Sequence, residues 1–559
     1  MKLTSRTTLA REAAVSKSES PAPNSPEAES AEPDAVVVGA GLAGLYQLHR
    51  LRELGLRVRV FENGSDVGGT WYWNRYPGAR CDVESMSYSY SFSPELEQEW
   101  TWTEKYAAQP EILRYIEHVA DRFDLRRDIT FDTRITEAHY DEHTHRWLVR
   151  THTGESVSTR FLIMATGCLS ASKPPELPGI ERFGGAVHHT GRWPHEGVDL
   201  AGQRVGVIGT GSSGIQAIPE LAEQAAELTV FQRTPNFSMP AFNRPLRETE
   251  VTERKANYRQ WRAAQRDSHA GVPRQPAERS ALEDSPEQRE ETYRQGWWEG
   301  SLFGIPASYA DILVDPTANE TAAEFVRARI RDKVHDPDIA ETLSPREFPI
   351  GTKRPCLETG YYETFNREHV RLVDLRSTPL TGIVETGVRT TRREYELDTL
   401  VFATGFDAMT GALEAVDIRG RGGRKLREYW SAGPRTYLGL AVSGFPNLFT
   451  VTGPTSPSVL SNMIVSIEQH VDWITDCLSY LAANDLTEIE ATERAEREWL
   501  DHAAEAGNAT LYPTADSWYI GANVPGKPRV LLAYVGGVAA YREWCEQVAD
   551  SGYSGFSLR

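Results

Sequence analysis

The sequence predicts an α/β fold made of two parallel-sheet units, and three observations carry that prediction. Two Gly-rich turns, Gly39-Ala-Gly41-Leu-Ala-Gly44 and Gly209-Thr-Gly211-Ser212-Ser213-Gly214, each follow a short apolar run, Ala35–Val38 and Val205–Ile208. Two later apolar runs, Phe161–Gly167 and Thr399–Gly405, both end in Ala-Thr-Gly. Between these lies a stretch, 236–349, rich in Arg, Glu, Gln and Ala and poor in apolar runs. It reads as a mostly helical insertion.

Each Gly-rich turn has the form strand, tight turn, first turn of a helix. Its glycines let the backbone approach a pyrophosphate held at the helix N-terminus. The fold class is therefore α/β with two Rossmann-like dinucleotide-binding domains. At the same offset after each turn the next strand ends differently: in Glu62 after the first, in Gln232-Arg233 after the second. A carboxylate there accepts hydrogen bonds from a ribose 2′-hydroxyl, whereas an Arg accommodates a 2′-phosphate. The first turn is read as an FAD site and the second as an NADPH site. Both cofactors in one chain point to hydride transfer from nicotinamide to flavin.

The elements follow in order. Residues 1–33, rich in Ser, Glu, Pro and Ala, are expected to be a disordered tail. The FAD-binding domain is placed at 34–157 and 398–559, the latter including C-terminal active-site loops. The NADP-binding domain is placed at 158–235 and 350–397, interrupted by the insertion at 236–349. Within these, Gln109–Phe123 reads as a charged helix, with short strands around Thr130–Arg134 and Trp147–Thr151. Glu250–Arg266 and Ala322–Val334 have the charge content of solvent-facing helices. Extended structure resumes at Val370–Val373. A strand and turn, Asn447–Pro454, lead into a helix at Ser461–Ala482, after which loops and short helices alternate.

Composition narrows the class further. A length of 559 residues suggests several domains. The net charge of −19 argues against a nucleic-acid partner. The five cysteines, Cys81, Cys168, Cys356, Cys477 and Cys545, are scattered, with no zinc-ligand or redox-pair spacing. That pattern fits a cytoplasmic protein and argues against a flavin disulfide reductase, which needs a Cys pair near the flavin. The His residues form no metal-binding pattern, so no metal site is expected. The tail lacks a signal-peptide core, and no stretch reaches the roughly 20 apolar residues of a membrane span. Asn319-Glu-Thr and Asn508-Ala-Thr match glycosylation sequons, which carry no meaning without secretion.

Between the two turns lies Phe183-Gly-Gly185-Ala-Val-His-His189-Thr-Gly-Arg-Trp193-Pro194, which fits Phe-x-Gly-x-x-x-His-x-x-x-Trp-Pro. It resembles the fingerprint of the type I Baeyer–Villiger monooxygenases. A second fingerprint of that family also fits: Gly68-Gly69-Thr70-Trp71-Tyr-Trp-Asn-Arg-Tyr76-Pro77-Gly78-Ala-Arg-Cys-Asp82. The resemblance continues through Gly351-Thr-Lys353-Arg354 and Trp518-Tyr-Ile-Gly-Ala-Asn-Val-Pro525, and looks nearest to the phenylacetone and steroid monooxygenase branch.

The resemblance implies the following. NADPH reduces FAD, O2 adds to form a flavin C4a-peroxide, and attack on a ketone yields an ester or lactone. The ketone is expected to be bulky, aryl-substituted or cyclic. The protein must supply a fixed positive charge for the developing anions, a task suited to Arg. Arg354 stands in the place of the catalytic Arg, and Asp82 matches the carboxylate that holds it. Lys353 matches a 2′-phosphate contact, together with Arg233 and Thr234. Gly69, Thr70 and Trp71 fall with the flavin-binding residues. Trp518 matches an aromatic on a loop that closes over the nicotinamide. His189 and Trp193 are fingerprint residues, His189 linking domain motion to catalysis rather than moving protons.

Each assignment has a plainer alternative. Arg354 in Lys-Arg-Pro alone reads as a surface Arg, Asp82 as a helix cap or ion-pair partner, and Trp518 as a core Trp. An N- or S-oxygenating flavin monooxygenase shares both nucleotide folds, and its similar fingerprint lacks the Trp193-Pro194 ending. A non-catalytic redox-binding protein would lack Arg354, Lys353 and Asp82. A monomer or weak oligomer is expected. One departure is Thr455, where relatives commonly have Gly; a larger polar side chain there would alter pocket shape or backbone freedom.

Overall fold

The computed structural model describes residues 32–173 and 177–559. All but Glu32 and Pro33 of the expected tail lies outside the described residues.

Two five-stranded sheets, parallel throughout, form the two units. The first runs Leu448–Thr450, Phe161–Met164, Ala35–Val38, Val58–Phe61, Ile129–Thr130. The second runs Ala186–His189, Thr399–Phe402, Arg204–Ile208, Glu227–Gln232, Val370–Asp374. In each, the strand entering the Gly-rich turn is central, the Ala-Thr-Gly strand lies on one side, and the strand ending in Glu62 or Gln232 lies on the other.

The reason both motifs recur together is steric. A Cβ on Gly39 would meet the Ala165 carbonyl oxygen at 2.6 Å, and one on Gly209 would meet that of Ala403 at 2.4 Å. The small residues of Ala-Thr-Gly thus receive the turn of the neighbouring strand, and both glycines have positive φ.

Strand alternation divides each sheet between two cores. Ala35 and Val37 join a cluster with the helices Leu42–Glu53 and Met463–Ala483. Val36 and Val38 face an antiparallel layer carrying Ala138, Trp147 and Val149. The second sheet repeats this plan, with the helix Ser212–Gln224 and the insertion on one face and the meander Leu380–Glu396 on the other.

Several expectations are corrected. Strand Phe161–Met164 pairs with Ala35–Val38 in the first sheet, and Thr399–Phe402 pairs with Arg204–Ile208 in the second. The expected boundaries at 157/158 and 397/398 therefore each fall one strand too early. A strand that closes a sheet belongs to it whichever side of a linker it occupies. The strand expected at Thr130–Arg134 ends at Thr130, because Asp132 has φ 50° and the Thr133 N–H bonds the Glu62 carbonyl at 2.8 Å. Pairing resumes at Ile135–Asp141.

The insertion is helical, comprising Glu248–Ala256, Tyr258–Arg266, Pro286–Glu299, Pro316–Lys333 and Pro337–Leu343. The helix expected over Glu250–Arg266 breaks at Asn257, whose φ and ψ of −118° and 14° leave the helical region. Its second half exposes Arg259, Gln260, Ala264 and Arg266 on one face but buries the other. Arg262 is buried and donates to Glu97 at 2.7 Å, Ser89 Oγ at 2.8 Å and the Tyr90 carbonyl at 3.3 Å. The insertion thereby docks on the first unit. The C-terminal region has longer helices than expected, Glu493–Asn508 and Val538–Asp550. Among the described residues, no helix is long and apolar enough to cross a membrane.

Candidate active site

At the first turn the helix Leu42–Glu53 begins with Gly41 as N-cap and no capping side chain, leaving its first N–H groups available to an anion. A second short helix, Thr70–Trp73, starts beside it: a Cβ on Gly69 would lie 2.9 Å from Gly41 Cα. Gly44 is as constrained, since its Cβ would fall 1.8 Å from the Gly39 carbonyl oxygen. Glu62 ends its strand 6% exposed, its carboxylate accepting from the Ala40 and Gly64 N–H groups at 2.7 Å each. Burial pushes its pKa up against these hydrogen bonds. The carboxylate braces the turn and keeps lone pairs for a ribose hydroxyl. Thr70 is exposed at the mouth, and Trp71 is buried with its indole N–H on the Tyr88 hydroxyl at 3.2 Å. This cradle fits an unphosphorylated dinucleotide.

The second turn repeats the geometry with more room. Gly211 caps the helix Ser212–Gln224, again without a capping side chain, and a Cβ on it would meet nothing within 4 Å. Gly214 packs back on Gly209. Ser212 Oγ lies 3.2 Å from Cys356 Sγ, and Ser213 is half-buried beside it. Thr234 offers its carbonyl to Thr210 Oγ1 at 3.1 Å. Arg233 is exposed at the strand end, and Lys353 Nζ lies 4.3 Å over the Phe348 ring. Burial lowers the Lys353 pKa, and the charge of Arg233 lowers it further against Glu347. Two neighbouring cations, neither in an ion pair among the described residues, make a site for a phosphate. The residues fit NADPH.

Arg354 reaches between the units. Its Nε donates to Asp82 Oδ2 at 2.7 Å, Nη2 to Asp82 Oδ1 at 2.8 Å, and Nη1 to the Val459 carbonyl at 2.7 Å. Burial pushes the nearby Tyr519 phenol up to about 12, against the charge of Arg354. Burial works against the charge, but Asp82 outweighs it and holds Arg354 ionised at every working pH. With three of the five N–H donors held by Asp82 and Val459, about two stay free to face a reacting anion.

The second fingerprint is an inter-unit contact. Tyr76 donates to Gln216 at 2.8 Å, Gln216 donates to the Arg80 carbonyl at 3.0 Å, and Gly78 sits where a Cβ would strike the Gln216 carbonyl oxygen at 2.2 Å. The Gly-x-Arg-Cys-Asp82 run is thus fixed against the helix of the other unit. The first fingerprint is woven into the second Ala-Thr-Gly: His189 Nδ1 accepts from Gly191 N–H at 3.0 Å and Nε2 lies 3.3 Å from Thr404 Oγ1. Burial and Arg192 depress its pKa, keeping the ring neutral. Trp193 is buried, its ring 5.4 Å from that of His188.

Trp518 opens a single helical turn, Trp518–Ile520, half-buried against Tyr519 with ring centroids 4.3 Å apart. Thr455 is tied into its own surroundings by its side chain. Its φ is 67°, but its buried Oγ1 pairs with Thr436 Oγ1 at 2.6 Å and accepts from Trp499 Nε1 at 3.0 Å, away from the turn. All five cysteines are buried and free.

Sequence reasoning missed Tyr519, the Val459 carbonyl and Asn236, which donates to the Arg354 carbonyl at 3.0 Å. Adjacency to Trp518 was the only signal for Tyr519. A backbone acceptor such as Val459 leaves no sequence signal.

A Pyridine nucleotide-disulphide oxidoreductase family model matches residues 36–259. The chain is 44% identical over 528 residues to an acetone monooxygenase (methyl acetate-forming) from Gordonia sp. (strain TY-5), covering 94% of this chain and 99% of the relative. It is 42% identical to a Baeyer–Villiger monooxygenase from Pseudooceanicola batsensis, covering 93% and 95%. A phenazine N-monooxygenase from Lysobacter antibioticus is 43% identical, over 94% of this chain and 97% of its own. Among solved structures, an oxidised steroid monooxygenase bound to NADP shares 56% identity over 94% of this chain and 99% of its own, with a TM-score of 0.90.

The fold and the paired cradles define a flavoprotein monooxygenase that uses FAD and NADPH. The chain belongs to the Baeyer–Villiger monooxygenase family.

Proposed function

We propose that this protein inserts one atom of O2 beside the carbonyl of a bulky, aryl-substituted or cyclic ketone, giving an ester or lactone, at the Arg354–Asp82 pair. The observation that carries this reading is an always-charged guanidinium, fixed by a bidentate carboxylate where the two nucleotide units meet. Bound FAD, reduced by NADPH, supplies the activation of O2. The chain's own residues do the rest. Asp82 fixes the plane and charge of Arg354, whose free N–H stabilises negative charge developing on the substrate oxygen. The turns at Gly41 and Gly211 present helix N-termini to the two pyrophosphates, Glu62 takes a ribose hydroxyl, and Arg233 with Lys353 and Thr234 takes the 2′-phosphate. Trp518 covers the nicotinamide, while His189 and Trp193 tie the linker to the second sheet.

A second reading, oxygenation of an aromatic ring nitrogen, is favoured by the phenazine N-monooxygenase relative, since equal identity accompanies a different acceptor. NADPH oxidation followed over panels of ketones and of N-heteroaromatics, with mass spectrometry of products, decides between them. A ketone product heavier by one oxygen supports the first reading. N-oxide alone replaces it, and NADPH consumption that ends wholly in hydrogen peroxide overturns both. The scattered free cysteines support work in a reducing cytoplasm, and the protein acts as a monomer or weak oligomer on a small-molecule substrate and O2.

A further inference from the structure

Two segments of the second unit carry its cationic readers and run side by side. Arg233 and Thr234 lead into the strand Ser238–Pro240, and Lys353 and Arg354 lead into the strand Cys356–Glu358. The strands pair in parallel, and the Cys356 N–H bonds the Phe237 carbonyl at 3.1 Å. Asn236 stands at the head of this pair. Its Nδ2 donates to the Arg354 carbonyl at 3.0 Å and to Cys356 Sγ at 3.2 Å. Its Oδ1 is buried and has no partner among the described residues. Turning the amide over would set two oxygens against each other at Arg354, so the carbonyl fixes which way Asn236 points. A sealed acceptor without a donor costs stability, and the compensation lies in where the two N–H groups are aimed.

Cys356 extends this contact to the second cradle. Its Sγ lies 3.2 Å from Ser212 Oγ, on the first residue of the helix that follows Gly211, and 3.7 Å from the Arg354 carbonyl. Ser212 is exposed at the open turn, while Cys356 is buried. Burial pushes the Cys356 thiol up to about 11, so it keeps its hydrogen at neutral pH. That one S–H serves the Arg354 carbonyl or Ser212 Oγ, one at a time. We propose that Asn236 is a positioning residue for Arg354, and that Ser212, Cys356 and Asn236 form a hydrogen-bonded chain reporting occupancy of the second cradle to the Arg354 backbone. With the cradle empty, the Ser212 O–H donates to Cys356, whose S–H turns to the Arg354 carbonyl. A pyrophosphate at the helix N-terminus takes the Ser212 O–H. Ser212 Oγ then accepts the S–H, and the Arg354 carbonyl is left to Asn236 alone. Only hydrogen bonds change partners, and every proton stays on its own atom. The inference rests on the reading of the second turn as the NADPH site and of Arg354 as the charge that meets the substrate oxygen.

The test is a double-mutant cycle on the FAD-loaded full chain, read as the ratio of hydrogen peroxide to oxygenated product during NADPH turnover. Asn236→Leu keeps the bulk and removes both donors; Asn236→Asp, which keeps the shape, serves where the first does not fold. Cys356→Ala removes the thiol. Each is expected to raise the ratio about threefold or more, with the KM for NADPH within about twofold of wild type. In the double variant the ratio stays within about 1.5-fold of the larger single effect, because both act through one chain. Cys356→Ser, which keeps a donor hydrogen, restores most of the loss. Effects that multiply in the double variant would overturn the chain, and an unchanged ratio in Asn236→Leu would overturn the positioning role. A KM for NADPH that climbs in step with the ratio would make Asn236 a nucleotide contact and overturn it equally. A second arm needs no turnover: hydrogen–deuterium exchange of peptides spanning 350–358, with and without NADP+. Asn236→Leu is expected to speed this exchange about fivefold in both states, and Ser212→Ala to cut the change caused by NADP+ by about half or more. A full NADP+ response in Ser212→Ala, or none in the wild type, overturns the link to the cradle. A wild type that oxygenates nothing sinks the proposed function, and the exchange arm then decides the positioning role by itself, unchanged exchange in Asn236→Leu overturning it.

Discussion

The two nucleotide cradles share a strand order, a Gly-rich turn and an Ala-Thr-Gly neighbour, yet one is closed and the other open. At the first, Gly41 is pressed on Gly69, and Glu62 is buried with both oxygens on backbone N–H groups. At the second, Gly211 faces open space and its cationic reader, Arg233, lies on the surface. The same supersecondary unit is therefore tightly packed at its first occurrence and open at its second. The difference lies in what packs around the turn.

The comparison breaks most sharply at the glycines. Gly44→Val is expected to abolish FAD-loaded protein, because the Cβ of any side chain there lies 1.8 Å from a backbone oxygen. Gly211→Ala should keep full flavin content and raise the KM for NADPH by no more than about tenfold, equivalent to ~1.4 kcal/mol. Flavin absorbance of the purified variants checks both, and flavin loss in Gly211→Ala would contradict the open dock.

The charged centre between the cradles comes next. Arg354→Ala should still let NADPH reduce the flavin while product formation falls by roughly 10²–10³ or more, the usual cost of removing an oxyanion donor. Normal product yield in that variant would remove Arg354 from the chemistry. At the open dock, Arg233→Ala should raise the KM for NADPH about 10–100-fold, as expected for a lost hydrogen bond to a charged group, and leave that for NADH nearly unchanged. Equal effects on both would show that it does not read the 2′-phosphate.

Lys353 sharpens the comparison through pH. Its pKa is lowered, so it loses its proton below the usual lysine range as pH rises. Phosphate affinity is thus full below the depressed pKa and lost above it, and the KM for NADPH should climb through that alkaline window. In Lys353→Arg the climb should vanish, since a guanidinium stays charged. A climb that persists would assign it to another group. The smallest effect is at Thr455. Thr455→Gly relieves a positive φ but orphans the buried Trp499 N–H, for a net loss of about 1 kcal/mol and a Tm drop of about 1–3 °C. Ketone KM should not move, and a shift beyond twofold would place this side chain in the pocket after all.

Much of this was legible in the chain. Strand, turn and helix starts at Gly39–Gly44 and Gly209–Gly214 follow from local sterics, and the Glu62/Arg233 contrast follows from the chemistry of a ribose hydroxyl against a phosphate. Both Ala-Thr-Gly strands could be recognised, but not assigned to sheets, because parallel pairing joins segments far apart in sequence. The Asn257 break was legible in principle; the burial of Arg262 was not, because the docked first unit supplies most of its acceptors.

By itself, the sequence determined two dinucleotide folds, the pair of cofactors they take and, through two long fingerprints, the family. These rest on local backbone geometry and on side-chain types at fixed spacing, which every copy of the fold must share. Tertiary structure alone decided which strand closes each sheet, that Thr455 Oγ1 pairs with Thr436 and Trp499, and that the Val459 carbonyl joins Asp82 on Arg354. Those contacts join residues from 19 to about 194 positions apart, made by packing directions and backbone atoms that no local pattern encodes.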